Sequence, residues 1–329
     1  MIGRRMLLGG LLGAALPAPL ARAQTAERVR RVGFMGNLPP SHALAAPLWR
    51  IFQEELHARG WREGHNLLIE ARWAEGRVER FIGFADELVG LNLDLIVTVG
   101  SEATDAARKK TGTIPIVMVG PSHPIEAGFV ASFARPGGNI TGVTNLLNEL
   151  VVKHLELLKE LKPGIERVGV LWSPNNPGSA LGFKTIEGTG PRVGLAVLSL
   201  PIAKPEDLNA AFATILRARP QALHVHPTRP IGLRAQQIAS FAVEQKLPTI
   251  SGSSGFVRAG HLASYGANVT EIWRRASFYV DRILRGSKPA ELPVEQPTKF
   301  EFTINMKTAR AIGITIPQSI LLRADELIE

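Results

Sequence analysis

The chain has no cysteine, little charge and no long apolar run. Without cysteine there is no disulfide-stapled scaffold and no thiolate metal or redox chemistry. Charged residues make up 20% against 45% hydrophobic, too apolar a balance for a disordered chain. A membrane-spanning helix needs about 20 apolar residues, and no segment supplies them. The formal charge of +9 comes from 38 Lys+Arg against 29 Asp+Glu, spread singly or in pairs such as Arg30-Arg31, Lys109-Lys110 and Arg274-Arg275. With no dense basic tract or aromatic-basic interleaving, no nucleic-acid partner is expected.

Catalytic signatures are missing too. Gly252-Ser253-Ser254-Gly255 lacks the nucleophile-elbow spacing, and neither a dinucleotide-binding nor a phosphate-binding glycine loop occurs. His224 and His226 share one face of a strand, but no third ligand lies near them in sequence. No metal, cofactor or catalytic residue is expected from these patterns.

Residues 1–23 read as a signal peptide. Arg4-Arg5 form a positive start, Met6 to Leu16 an apolar segment of 11 residues, and Ala21-Arg22-Ala23 a small-x-small cleavage site. The arginine pair also fits a twin-arginine signal. With no cysteine at the cleavage site a lipid anchor is excluded, and a soluble protein outside the cytoplasm, in the periplasm, is expected.

The 329-residue length favours two domains. Along the mature chain, strands and helices alternate. Strands are expected over 31–35, 67–73, 93–99 and 114–119, and helices over 42–59, 78–89, 101–110 and 125–133. Leu93 to Val99 is nearly unbroken apolar sequence, the mark of a parallel strand covered on both faces. After Pro136-Gly137-Gly138 the pattern restarts. A helix is expected over 147–161, a strand over 167–172, and a short helix with a loose loop where Glu187-Gly188-Thr189-Gly190-Pro191 costs helix propensity. A strand over 193–198, a helix over 206–217, a strand over 222–226, a helix over 231–245 and a short strand at Thr249-Ile250 follow. A strand over 262–265 and a helix over 269–284 would return to the first array. The fold class is α/β: two doubly wound lobes with parallel sheets, joined by a hinge of crossing segments.

In such folds, ligands sit at the carboxyl ends of the strands. The loops there hold Gly36-Asn37, Gly100-Ser101-Glu102, Gly120-Pro121-Ser122, Ser173-Pro174-Asn175-Asn176, Pro227-Thr228 and Ser251-Gly252-Ser253-Ser254. They offer backbone N–H groups and small neutral donors without a reactive group. That set points to binding rather than catalysis, so no enzyme is expected.

The segments Ala134 to Val143, Ser264-Tyr265-Gly266, Leu292 to Glu301, Asn305-Met306-Lys307-Thr308-Ala309, Ile316-Pro317 and Arg323-Ala324-Asp325-Glu326 extend over essentially the whole mature chain. Together they resemble the ABC transporter substrate-binding protein family that includes tryptophan- and tyrosine-binding members. The resemblance implies a type I periplasmic-binding-protein fold that closes on a small solute, an amino acid or related carboxylate, and delivers it to a membrane permease. A monomer is expected. In this reading Ser101, beside Glu102, holds an anionic end of the solute at a helix N-terminus, and Asn37 and Ser122 hydrogen-bond from the same lobe. Asn175, His226 and Ser253 close from the other lobe, and Tyr265 sits near the hinge. Crossing segments near Thr141 and Thr144, Gly266 and Thr303 form that hinge. Lobe 1 would span 28–143 and 266–300, and lobe 2 would span 144–265 and 301–329. An exported hydrolase-type enzyme and a ligand-presenting sensor partner remain the alternatives.

Overall fold

A computed structural model describes residues 28–329; the expected signal peptide lies outside the described residues. The first array runs β1 (Arg30–Gly36), α1 (Ala46–Ala58), β2 (Leu67–Trp73), α2 (Arg80–Val89), β3 (Leu95–Val99), α3 (Gly100–Lys110), β4 (Ile116–Val119) and β5 (Ile140–Val143). These five strands form an all-parallel sheet in the order β2-β1-β3-β4-β5. Alternation along the strands divides side chains between two cores. Val32, Phe34, Leu95, Val97 and Val117 pack on one face, and Met35, Ile96, Ile116 and Met118 on the other. Two covered faces explain the nearly unbroken apolar run of β3.

The second array begins with a 3₁₀ turn at Leu147–Leu150 and α4 (Val151–Leu161), then β6 (Arg167–Trp172), α5 (Pro177–Thr189), β7 (Ala196–Pro201), α6 (Leu208–Ala218), β8 (Ala222–Val225), α7 (Arg229–Gly232), α8 (Ala235–Glu244), β9 (Thr249–Ser251), α9 (Ser254–Arg258) and β10 (Ala263–Ala267). The chain then supplies α10 (Val269–Leu284), β11 (Phe300–Asn305), α11 (Met306–Ile312), α12 (Gln318–Leu321) and β12 (Glu326–Ile328). The second sheet has seven strands in the order β12-β11-β10-β9-β8-β6-β7.

The helix α10 packs its buried face (Ile272, Trp273, Ala276, Tyr279, Val280, Ile283) on the core of the first sheet, against Phe34 and Phe52. Each of the large aliphatic side chains among them contributes roughly 1.5–3 kcal/mol on burial. The chain therefore passes between lobes three times: after β5, after β10 and before β11. Where it first leaves, Val143 bridges to Glu295, and Thr144 N donates to the Glu295 carbonyl at 3.0 Å. At the second passage Asn268 N donates to the Lys299 carbonyl at 3.4 Å.

Several expectations need correction. The strand over 262–265 belongs to the second sheet, pairing with β9 and β11, and only the helix after it returns to the first lobe. The pair β10–β11 is antiparallel, because the excursion through α10 brings the chain back from the opposite end, so the second sheet is not wholly parallel. Residues 125–133 form turns rather than a helix: Gly128 takes a left-handed φ of 68° and Gly128 N donates to the Ile125 carbonyl at 2.9 Å. The helix expected from residue 42 begins at Ala46, and the one expected over 231–245 is split into α7 and α8. The strand expected from residue 193 begins at Ala196, after Gly194 turns with φ 72°. The segment 187–191 is not loose. The helix α5 runs 13 residues to Thr189 and continues as a 3₁₀ turn over Gly190–Val193. A Cβ on Gly190 would meet Val197 at 2.4 Å, so close packing, stronger than local propensity, holds that end.

Candidate functional site

A cavity of about 880 Å³ lies between the lobes at the carboxyl ends of both sheets. In the first lobe the strand order reverses between β1 and β3, and the loops leaving those strands supply Asn37 and Gly100 to the cavity wall. Loops splay apart at such a reversal, which opens a crevice there. The second lobe contributes Pro227, Thr228 and Arg229 after β8, and Gly252 to Gly255 after β9.

Three of the chain's five tryptophans, Trp49, Trp73 and Trp273, form the apolar side of the wall. They belong to one aromatic cluster. Trp49 and Trp73 meet edge to face with centroids 5.2 Å apart, and Phe34 lies beneath both at 4.7 and 5.0 Å. Such arrangements favour fixed ring positions over a fluid lining. Gly36 makes this possible: a Cβ there would lie 2.2 Å from a ring carbon of Trp73, so glycine lets the indole lie across the end of β1.

Polar groups ring the aromatic side. Asn145, at the first passage between lobes, donates from Nδ2 to the Gly120 carbonyl at 2.7 Å. Its Oδ1 accepts from Ser122 Oγ at 2.9 Å and Leu147 N at 3.0 Å. Arg229 is 3% exposed, reaches from lobe 2 into lobe 1, and donates to Asn37 Oδ1 in a short hydrogen bond. Its guanidinium stacks over the Phe81 ring at 4.0 Å.

Of the residues expected to bind solute, Asn37 and Ser253 line the cavity. Ser101, Glu102, Ser122, Asn175, His226 and Tyr265 are not among its lining residues. Ser101 does not cap α3; Val99 stands at that position without a side-chain cap, and Ser101 is 3% exposed within the first turn. Ser122 acts one step back, through Asn145. Asn175 is exposed on the loop after β6, where Asn176 instead caps α5 by accepting from Ser179 N at 2.7 Å. Tyr265 packs edge to face on Phe302, centroids 6.2 Å apart, and its carbonyl accepts from His154. Thr141 Oγ1 donates to the Leu292 carbonyl inside lobe 1, Thr144 Oγ1 to the Pro121 carbonyl, and Thr303 lies within β11. Gly266 sits in β10, one residue before its end.

His226, which precedes cavity-lining Pro227 in sequence, is wholly buried, with neither ring nitrogen bonded. It belongs to a cluster with His224 and His154, whose rings join His154 Nδ1 to His224 Nε2 at 2.9 Å. Burial pushes His226 down to about 3 and His154 to about 4, and moves His224 well below its ordinary value. Among the described residues no set of three His, Asp or Glu is arranged to hold a metal ion.

Sequence reasoning missed Trp49, Trp73, Trp273, Asn145 and Arg229. Each lies within or beside an element whose local pattern explains it as core or turn; Arg229, beside Thr228 after a strand, carried the one available signal.

Residues 47–328 match the family model described as ABC transporter substrate binding protein. The chain belongs to that family, and its two-lobed α/β architecture is that of type I periplasmic binding proteins. Its function is solute capture for an ABC importer. It is 28% identical to the tyrosine-binding protein of Clostridioides difficile, over 80% of this chain and 75% of that one. A crystal structure from Streptococcus pneumoniae in complex with L-Trp has a TM-score of 0.83 at 24% identity, covering 91% of this chain and 99% of that one. The ligand-free, open structure of a Clostridium difficile substrate binding protein with adhesive properties has a TM-score of 0.64 at 23% identity, with the same coverage.

Proposed function

We propose that this protein captures a small aromatic amino acid or a related carboxylate between its lobes and hands it unaltered to a membrane permease. The observation that carries this reading is the interlobe cavity, with a wall drawn from both lobes and an apolar side built of Trp49, Trp73 and Trp273. Indole rings held in fixed positions offer an aromatic solute large contact area at little cost in side-chain entropy. The relative that binds tyrosine and the neighbour complexed with L-Trp support the same class of solute. Asn37 and Ser253 hydrogen-bond the solute from opposite lobes. Lobe 1 (28–143 and 268–299) and lobe 2 (144–267 and 300–329), divided at the ends of β10 and β11 rather than within them, close about the crossings that follow Thr144 and Gly266 and precede Thr303. The protein acts as a monomer in the periplasm, exported by residues 1–23 as a signal peptide.

A thermal-shift screen of the mature protein against amino acids and small carboxylates tests this. A cognate solute at about 100 times its Kd adds about 2.7 kcal/mol to the stability of the native state. Recovery of a chemically altered solute by mass spectrometry, or no shift with any aromatic amino acid, overturns the reading.

A further inference from the structure

Arg229 is a cation of lobe 2 buried in lobe 1 without a carboxylate partner. It is 3% exposed and lines the cavity. One hydrogen bond, from Nη2 to Asn37 Oδ1, serves a group with five N–H donors; Nε and Nη1 are buried and reach no acceptor. Among the described residues no acid forms an ion pair with it. Glu102 and Glu79 act on it through space and favour its charge, yet burial outweighs them and lowers it to about 10. A buried charge in this state is destabilising unless something pairs with it. Glu102 is not itself a lining residue but stands directly behind one: its Oε1 is buried without a donor, and its Oε2 lies 3.6 Å from where a Cβ would sit on cavity-lining Gly100.

We propose that Arg229 anchors the carboxylate of the solute, and that Glu102, near Gly100, is the counter-charge for its ammonium. The carboxylate accepts at the end of the guanidinium from the unpaired Nη1–H groups, and an ammonium near Gly100 donates to Glu102. Because the guanidinium belongs to lobe 2 but is seated on Phe81 and Asn37 of lobe 1, the solute that satisfies it also holds the lobes together. A lysine ammonium has neither the planar face for Phe81 nor the fork for a carboxylate, so the site is specific to arginine. The assignment rests on the amino-acid reading above and adds the residues that would recognise the zwitterion.

Isothermal titration of the mature protein with L-tryptophan, tryptamine (no carboxylate) and indole-3-propionate (no amine) tests it, using wild type, Arg229→Gln, Arg229→Lys and Glu102→Gln. Wild type is expected to bind L-tryptophan about 100-fold more tightly than tryptamine, the scale of hydrogen bonds to a charged group. Arg229→Gln and Arg229→Lys lose about that factor for L-tryptophan and indole-3-propionate, and leave tryptamine within about twofold of wild type. Glu102→Gln weakens L-tryptophan and spares indole-3-propionate. Melting temperatures of the unliganded variants near that of wild type establish that they fold. If Arg229→Gln keeps wild-type affinity for L-tryptophan, or loses L-tryptophan and tryptamine equally, Arg229 is a latch or a bystander and the anchor is overturned, while the solute reading stands. If wild type binds none of the three probes, the aromatic amino-acid reading falls and the assignment falls with it.

Discussion

Gly266 and Gly252 meet backbone to backbone: a Cβ on Gly266 would lie 2.0 Å from the Gly252 carbonyl oxygen. Gly266 is near the end of β10, where the chain leaves for lobe 1, and Gly252 lines the cavity after β9. The approach joins the end of β10 to a residue that lines the cavity, and a rigid carbonyl cannot yield as a side-chain tip would. Gly266→Ala is expected to destabilise the protein by about 1–3 kcal/mol or more, read from the urea midpoint. Gly83→Ala, in the middle of α2 with open space around it, should instead stabilise by about 0.5–1 kcal/mol.

Stability should fall in acid because the buried histidines are held neutral. Burial lowers His226 to about 3, and His154 and His261 to about 4, in the folded state, against an ordinary value of 6.5. Below pH 6.5 the unfolded chain binds protons that the folded chain refuses, so unfolding is favoured increasingly down to the folded values. Above pH 6.5 these groups contribute nothing. Each should give a slope of up to about 1.4 kcal/mol per pH unit within that window. Melting curves between pH 7.5 and 4 check this, and the slope should be shallower in His226→Gln.

The tryptophan wall should govern affinity rather than folding alone. Trp73→Ala removes an indole from the cavity while leaving Phe34 and Trp49 in contact. Binding of L-tryptophan or L-tyrosine by the mature protein should weaken about tenfold or more, measured by titration calorimetry. Trp172, stacked on Phe183 within lobe 2, is the control: its replacement should leave affinity unchanged.

Hydroxyl and amide contributions should separate by placement. Ser101→Ala is expected to keep wild-type affinity, since that side chain is buried away from the cavity lining. Asn37→Ala should weaken binding by about tenfold, because it removes both a cavity amide and the Oδ1 that fixes Arg229. Equal effects in the two variants would contradict this geometry.

The βα alternation, the two arrays and the covered strand β3 were legible in the chain because each is written in local periodicity. The Leu95 to Val99 run, apolar but for Thr98, requires two covered faces whatever packs there. Family membership was legible as well, through segments such as Ala134 to Val143. The misread elements were those in which distant contacts overrode local preference: α5 kept its length because Gly190 packs under Val197, and β11 turned antiparallel because of the excursion through α10.

The binding wall was decided by tertiary structure. Trp49, Trp73 and Trp273 stand on α1, β2 and α10, and nothing in their sequence neighbourhoods says that they share a surface. Arg229 pairs with a residue 192 positions away in the other lobe. Periodicity reports which face of an element is apolar, because that depends on neighbours three or four residues away. Which elements meet, and which buried polar atoms are left facing a cavity, depends on the closure of two lobes whose chain crosses between them three times.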